Sequence, residues 1–187
     1  MAPGAVLKPA AVLVGLVQRE EGLTVLLTER TAHLRAHAGQ ISFPGGRLEA
    51  GDASPVAGAL REAAEEIGLE PDRARLLGLL PPYLTVTGFS VTPVVAILEP
   101  ELSLRPDPHE VADIFEVPLG FLMNPAHHRR HRLETPERTR QFLSMPYEGV
   151  GLAGHRREFF IWGATAAMLR NLYHRLADAD RPDIIPA

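Results

Sequence analysis

The segment DASPVAGALREAAEEIGL, residues 52–69, has the pattern of an amphipathic helix with defined ends. Asp52 or Ser54 can cap its amino end, Pro55 suits the first turn, and Gly68 can stop it in a left-handed conformation. Apolar residues recur along it at helical spacing and form one stripe. The stripe consists of Val56, Leu60, Ala63 and Ile67. The sequence therefore predicts a helix that packs on a core through this stripe.

Three glutamates, Glu62, Glu65 and Glu66, share the face beside this stripe, within an arc of about 100°. Like charges at such spacing repel each other and destabilise an isolated helix. They are therefore either a solvated acidic surface or ligands for a cation. The turn FPGGRLEAGD, residues 43–52, can bring backbone carbonyl oxygens close to these carboxylates. Oxygen ligands without nitrogen or sulfur favour Mg²⁺ or Mn²⁺ over Zn²⁺.

Length and composition limit the class of protein. The 187 residues suffice for one sizeable core, so we expect a single domain over residues 1–187. The net charge of -4 argues against a nucleic-acid partner, which would require many cations facing phosphate. The lack of cysteine excludes disulfides, thiolate metal sites and a cysteine nucleophile. No apolar run is long enough to span a membrane, so we expect no membrane partner and a cytoplasmic location.

Strands and helices alternate along the rest of the chain. Residues 10–18 and 23–30 are apolar and β-branched and predict a hairpin, and residues 75–98 predict further strands. The basic stretch 125–154 is interpreted as irregular. Residues 159–177 predict a C-terminal helix, which is expected to bury Trp162, Met168 and Leu172.

Residues 45–69, GGRLEAGDASPVAGALREAAEEIGL, resemble the Nudix box. The positions that match it in register are Arg61, Glu62, Ala63, Glu65, Glu66, Gly68 and Leu69. Counted from Gly46, the position of the expected glutamate is Asp52, and eight residues rather than seven separate it from Arg61. The resemblance implies an α/β fold, an α/β/α sandwich with a mixed β-sheet, and hydrolysis of a phosphoanhydride bond with Mg²⁺ or Mn²⁺.

Residues 26–46, LLTERTAHLRAHAGQISFPGG, look like the signature of the coenzyme A pyrophosphatase branch of that family. Its matching positions are Leu26, Leu27, Thr28, Arg30, Arg35, Gly39, Phe43, Pro44, Gly45 and Gly46. Thr31 departs from the pattern, where serine or alanine is usual. Similar segments at 88–95 and 159–166 extend the resemblance over residues 10–175. It implies a small-molecule substrate, coenzyme A or its thioesters. The alternatives are another nucleoside diphosphate derivative such as ADP-ribose, or a nucleotide-binding module without catalysis.

The resemblance also implies residue roles at the metal. Glu62 and Glu66 would hold it, and Glu65 and the Gly45 carbonyl would add ligands. A carboxylate must then accept a proton from the attacking water. Glu65 is one candidate for this base, and Glu110 in a later loop is another.

A third and weaker candidate for the base is Glu116. Arg61 is expected to pair with a neighbouring carboxylate and orient the helix end. Arg30 and Arg35 either grip the 3′-phosphate of coenzyme A or make a salt bridge within their own loop. Gly45 and Gly46 complete the expected substrate-binding set.

The run HHRRHR, residues 127–132, places His127 and His131 four positions apart. No carboxylate or third imidazole follows at a matching spacing. We therefore interpret this run as a solvated basic turn or a rim that attracts anionic substrate. The sequence does not determine the oligomeric state, and a homodimer is one state that it allows.

Overall fold

The computed structural model describes residues 6–33, 38–134 and 139–179. Within these residues the main sheet has eight strands. They are β1 (Lys8–Arg19), β2 (Gly22–Arg30), β3 (Ile41–Ser42), β4 (Gly45–Arg47), β5 (Ala74–Leu79), β6 (Tyr83–Leu84), β7 (Phe89–Leu98) and β8 (Val111–Pro118). The other elements are α1 (Pro55–Ile67), α2 (Leu119–Leu122), β9 (Arg129–Glu134), β10 (Thr139–Val150), β11 (Arg156–Trp162) and α3 (Gly163–Ala179), with 3₁₀ turns at Pro71–Arg73 and Pro125–His127.

The main sheet is mixed. Its central order is β3-β2-β1-β7-β5, and β4, β6 and β8 add to β1, β7 and β2 respectively. Strand β1 runs parallel to β7, whereas the other described pairs are antiparallel. The predicted hairpin of β1 and β2 is confirmed, with Arg19 opposite Gly22 at its turn. The α/β fold class with a mixed sheet is confirmed as well.

Helix α1 covers one face of the sheet and has the predicted ends. The Ser54 hydroxyl accepts a hydrogen bond from the Ala57 N–H, so Ser54 is the N-cap, and Gly68 ends the helix at φ 67°. Of the predicted stripe, Ala63 and Ile67 are fully buried, while Val56 and Leu60 pack at the edge of the same core. Ser54 rather than Asp52 therefore caps the helix, and the Asp52 side chain pairs with another residue.

The opposite face carries α3 and a second, three-stranded antiparallel sheet of order β11-β10-β9. The interpretation of residues 125–154 as irregular was therefore wrong, because most of them form β9 and β10. Basic and polar residues alternate with apolar ones in these strands, and only pairing between distant strands reveals the pattern. The face opposite α1 is thus built by a segment with a weak local signal.

The predicted C-terminal helix begins later than expected. Residues 156–162 form β11, in which Phe159 and Ile161 are buried while Phe160 and Trp162 point outward. Trp162 is 36% exposed, so its predicted burial in a helix was wrong. Helix α3 starts at Gly163, whose φ of 64° turns the chain out of the strand. Met168 and Leu172 are buried as predicted. In the part of the chain that the structure describes, no helix has the length and apolar character to cross a membrane.

Candidate metal and substrate site

The Glu66 carboxylate lies at the centre of the acidic face of α1. Its side chain is only 4% exposed. The Gly45 N–H donates to Glu66 Oε2 at 3.1 Å, and Arg30 Nη1 lies 3.5 Å from Glu66 Oε1. Burial raises the pKa of Glu66 to about 7, against the opposing effects of Gly45 and Arg30, and the charges of Glu62 and Glu110 raise it further. Burial thus makes the ionised form of this carboxylate costly, and its contacts with Gly45 and Arg30 offset only part of that cost.

Glu62 lies one turn before Glu66 and is half-buried. Burial is the main cause of its raised pKa, which the charges of Glu65 and Glu110 also raise, while Arg61 opposes the shift. A Cβ on Gly46 would lie 2.6 Å from the Glu62 carboxylate. Glycine at this position therefore leaves the space that the carboxylate occupies.

Arg61 connects the acidic residues of the helix. Its Nε donates to Asp52 Oδ1 at 3.0 Å and its Nη2 to Asp52 Oδ2 at 3.1 Å. Nη2 also donates to Glu62 Oε1 at 3.1 Å, and Nη1 donates to Glu65 Oε2 at 2.9 Å. This hydrogen bonding lowers the pKa of Asp52. Asp52 thus reaches Arg61 despite the extra residue between them, because the chain before Ser54 bends back toward the helix.

Glu110 approaches the same cluster from a separate loop. Backbone hydrogen bonds from Asp107 to the Glu66 carbonyl and from Thr31 to the Glu110 carbonyl, 2.8 and 2.9 Å long, fix this loop beside α1 and β2. Glu110 is 48% exposed, and its Oε2 lies 4.0 Å from Arg30 Nη2. Arg30 therefore stands between Glu66 and Glu110. Sequence reasoning missed this bridge, since no local pattern links positions so far apart in the chain.

The structure does not bring Glu116 to the cluster. Its carboxylate accepts hydrogen bonds from Arg19 Nε at 2.9 Å and from the Thr24 hydroxyl at 2.5 Å. Burial opposes ionisation of Glu116, but these hydrogen bonds outweigh it and lower the pKa. A carboxylate held in this way is a poor proton acceptor, so Glu116 is removed as a candidate base. Arg35, the second predicted phosphate contact, lies outside the described residues.

The two histidines of the basic run do not share a helical face. His127 lies in a 3₁₀ turn, where its Nδ1 is 2.9 Å from the Phe121 carbonyl and its ring stacks on Phe121. His131 lies in β9, with Nε2 2.7 Å from the Ser144 hydroxyl. Both histidine side chains are partly buried, and residues 129–132 lie in β9, so the interpretation of the run as a solvated basic turn was wrong. The structure gives no support for a histidine metal site here.

Carboxylates at the acidic face offer an oxygen donor set that fits a hard divalent cation. Glu62, Glu65 and Glu66 could contribute from α1, with Glu110 opposite. Within residues 6–33, 38–134 and 139–179, no three acidic or imidazole groups already lie together at ligand spacing. An arginine lies within 4.0 Å of each of the four carboxylates. A cation that binds here must compete with Arg30 and Arg61.

Known proteins resemble this chain in sequence. The model of the NUDIX domain family matches residues 7–139. A protein of Escherichia coli (strain K12) named Uncharacterized Nudix hydrolase NudL is 43% identical over 169 residues, which cover 88% of this chain and 81% of that protein. The protein of the same name from Enterobacter sp. (strain 638) is 43% identical over 166 residues, with the same two shares.

Two solved structures share the fold. RenU, a Nudix hydrolase from M. Smegmatis, has a TM-score of 0.52 at 23% identity, covering 60% of this chain and 71% of its own. A MutT/nudix family protein from Enterococcus faecalis has a TM-score of 0.53 at 16% identity. The match covers 92% of this chain and 62% of that protein. At such identities the likeness concerns the fold alone. The matched domain and the two bacterial relatives establish the family: the chain belongs to the Nudix hydrolases, enzymes that act on pyrophosphate bonds.

Proposed function

We propose that the protein is a divalent-metal-dependent pyrophosphohydrolase that cleaves coenzyme A or its thioesters into 3′,5′-ADP and (acyl-)4′-phosphopantetheine. The observation that carries the metal-dependent part is the Glu66 carboxylate, which is 4% exposed and close enough to Glu62 and Glu110 for their charges to raise its pKa. Negative charge gathered in a buried position is costly unless a cation balances it. A bound divalent cation would supply that balance.

Glu62 and Glu66 are the proposed metal ligands, with Glu65 and the Gly45 carbonyl as additional ligands. Mg²⁺ or Mn²⁺, when bound, neutralises phosphate charge and lowers the pKa of a coordinated water. Arg61 holds Glu62 and Glu65 in place through hydrogen bonds of 3.1 and 2.9 Å. This arrangement supports a positioning role for Arg61 in the reaction.

Glu65 and Glu110 are the two proposed proton acceptors. Glu65 is 60% exposed and Glu110 is 48% exposed, so both can reach a water outside the buried part of the site. Glu110 faces the cluster from across the site, whereas Glu65 is already hydrogen-bonded to Arg61. This difference favours Glu110 as the base and Glu65 as a ligand.

The coenzyme A assignment rests on the signature of residues 26–46. Its Gly45 and Gly46 lie directly against the carboxylates of Glu66 and Glu62, so the proposed substrate segment and the acidic helix form one site. Arg35 is the proposed contact of the 3′-phosphate. The place of Arg30 beside Glu66 supports a role in positioning the acidic cluster. We further propose that residues 1–187 form one cytoplasmic domain that acts on a small molecule, alone or as a homodimer.

Hydrolysis of a substrate panel tests this proposal. Purified protein is incubated with Mg²⁺ or Mn²⁺ and with coenzyme A, acetyl-coenzyme A, dephospho-coenzyme A or ADP-ribose, and the products are separated by chromatography. We expect 3′,5′-ADP as a product of coenzyme A. The kcat/KM for coenzyme A should be higher than that for dephospho-coenzyme A or ADP-ribose. Preferred hydrolysis of ADP-ribose would overturn only the coenzyme A assignment. Inactivity on every pyrophosphate would overturn the proposed pyrophosphohydrolase activity itself.

A further inference from the structure

A small cavity that is open to solvent lies on the face of the main sheet that α1 does not cover. In β1, Leu13 faces the core under α1, while the adjacent Val14 faces the core under α3. The cavity lies between α3 and the strands β9 and β10 and has a volume of about 270 Å³. Its polar lining consists of Arg130, Gln141, Arg170, Asn171 and His174. It therefore belongs to a different side of the molecule from Glu66.

Two imidazole nitrogens hold Arg170 in this cavity. Arg170 Nε donates to His174 Nε2 at 3.0 Å, and Arg170 Nη1 donates to His128 Nδ1 at 2.6 Å. His128 Nε2 lies 2.7 Å from the Leu122 carbonyl. Because that carbonyl can only accept, His128 carries its proton on Nε2 and presents a lone pair to Arg170. The guanidinium also lies over the Tyr173 ring, 4.9 Å from its centroid. It is thus oriented by groups that carry no negative charge.

The positive charge around the cavity has no acidic counterpart in the described part of the chain. No carboxylate of residues 6–33, 38–134 and 139–177 lies within 4.0 Å of the guanidinium of Arg130 or Arg170. Burial lowers the pKa of His128, the hydrogen bond with the Leu122 carbonyl opposes this shift, and the charge of Arg170 lowers the pKa further. Other arginines of the molecule do pair with carboxylates, namely Arg19, Arg61 and Arg157. The cavity is therefore a locally cationic site on a chain whose net charge is -4.

We propose that this cavity binds a small anion of the phosphate class, with Arg170 and Arg130 as its charged contacts. The planar guanidinium of Arg130 offers paired N–H donors that match phosphate oxygens. Arg170 can add the donors of its Nη2, because its Nε and Nη1 contact imidazoles. The amides of Asn171 and Gln141 can add neutral donors. The volume is below the range of about 300 to 1,000 Å³ that is common for drug-sized ligands. The cavity therefore suits inorganic phosphate or the terminal phosphate group of a phosphomonoester. This anion is not the one hydrolysed, since the cavity and Glu66 lie on opposite faces of the sheet.

Phosphate titration at constant ionic strength tests the site. The protein is titrated with inorganic phosphate and, in a second arm, with methyl phosphate, while the Arg Nε–H and His ring NMR signals are followed. We expect saturable shifts of the Arg170 and His174 signals. Tighter binding of methyl phosphate would identify the terminal group of an ester as the ligand, and tighter binding of inorganic phosphate would identify the free ion.

Matched charge variants distinguish a specific anion-binding site from nonspecific electrostatic attraction of phosphate. Arg170→Gln and Arg130→Gln should each weaken phosphate binding at least tenfold, because each removes a charged contact. Arg175→Gln removes the same charge from an exposed position of α3 outside the cavity lining, and should change the affinity less than twofold. Hydrolysis with Mg²⁺ and the thermal midpoint serve as fold controls. If Arg170→Gln unfolds, the exposed Arg130 still provides the test.

Equal weakening in all three variants, or shifts that do not saturate, would overturn the proposal. The result is independent of the substrate assignment, because no residue of the cavity belongs to the acidic cluster of α1.

Discussion

Arg30 Nη1 lies 3.5 Å from the Glu66 carboxylate, and the other terminal nitrogen of the same guanidinium lies 4.0 Å from Glu110. The residue at the end of β2 therefore links the acidic helix to the loop on the opposite side of the site. Arg30 was expected either to grip the 3′-phosphate of coenzyme A or to make a salt bridge within its own loop. The salt bridges that the structure shows reach outside that loop. The structure places it against two acids, so its removal should disturb the cluster itself.

Arg30→Gln should lower kcat/KM by a similar factor for coenzyme A and dephospho-coenzyme A. The reason is that Arg30 contacts Glu66 and Glu110, which we propose to act on the pyrophosphate common to both substrates. Steady-state kinetics on the two substrates measures the two factors. A loss confined to coenzyme A would instead assign Arg30 to the 3′-phosphate.

Unlike Arg30→Gln, Arg35→Ala should affect the two substrates differently. Loss of a charge-assisted contact costs about 1.5 to 3 kcal/mol, which is roughly one to two orders of magnitude in kcat/KM. We expect that loss for coenzyme A and little change for dephospho-coenzyme A, which lacks the 3′-phosphate. Parallel kinetics on both substrates measures the difference, and equal losses would remove Arg35 from phosphate recognition.

Glu66→Gln should stabilise the metal-free protein above neutral pH. The pKa of Glu66 is raised to about 7, so ionising it costs stability in the folded protein. That cost is absent below the unfolded pKa of about 4.5, grows as the pH rises, and is complete above pH 7. The variant should therefore gain up to about 3 kcal/mol over wild type at pH 8 and much less at pH 5.

Urea unfolding in EDTA at both pH values measures this gain. Addition of Mg²⁺ at pH 8 should then stabilise the wild type more than the variant, because only the wild type keeps the Glu66 carboxylate. An equal gain at pH 5 and pH 8 would show that the carboxylate is not the source of the cost.

Glu110→Gln and Glu65→Gln should separate the base from a metal ligand. Loss of the base lowers kcat by about 10²- to 10⁴-fold with little change in metal affinity, whereas loss of a ligand weakens Mg²⁺ binding. We expect the first result for Glu110 and the second for Glu65. Kinetics and Mn²⁺ titration on each variant distinguish them, and near wild-type turnover in both would place the base elsewhere.

Gly45→Ala should lose stability, whereas Gly46→Ala should lose Mg²⁺ affinity and activity. A Cβ on Gly45, at φ 147°, would lie 2.4 Å from the Ala11 carbonyl oxygen and 2.6 Å from Val12 Cα. Because this backbone cannot move aside, we expect a loss of about 1 to 3 kcal/mol in the free energy of unfolding. The three atoms nearest to a Cβ on Gly46 all belong to the Glu62 carboxylate, which can rotate away.

Gly46→Ala should therefore keep most of its stability and lose Mg²⁺ affinity and activity. Denaturant unfolding and Mn²⁺ titration on both variants check this contrast. A Gly46→Ala protein with wild-type metal affinity would show that the Glu62 carboxylate does not depend on this space.

Local patterns in the sequence were sufficient for the elements that stabilise themselves. Helix α1 was predicted with its cap at Asp52 or Ser54, of which the structure shows Ser54, and with its end at Gly68. Capping and helical periodicity depend on residues within a few positions of each other. The same periodicity placed Glu62, Glu65 and Glu66 on one face. The β1–β2 hairpin followed from two apolar runs separated by a short turn.

Only the tertiary structure decided the elements and contacts that depend on distant partners. Trp162 belongs to a strand because β11 pairs with β10, with Trp162 opposite Ser144, although an apolar run before a helix looks the same in one dimension. Glu110 and Glu116 are both glutamates, so residue type does not distinguish them as candidate bases. Backbone hydrogen bonds bring the loop of Glu110 to α1, whereas Arg19 holds Glu116 elsewhere, because the partners that decide a carboxylate's role are supplied by the packing of remote segments.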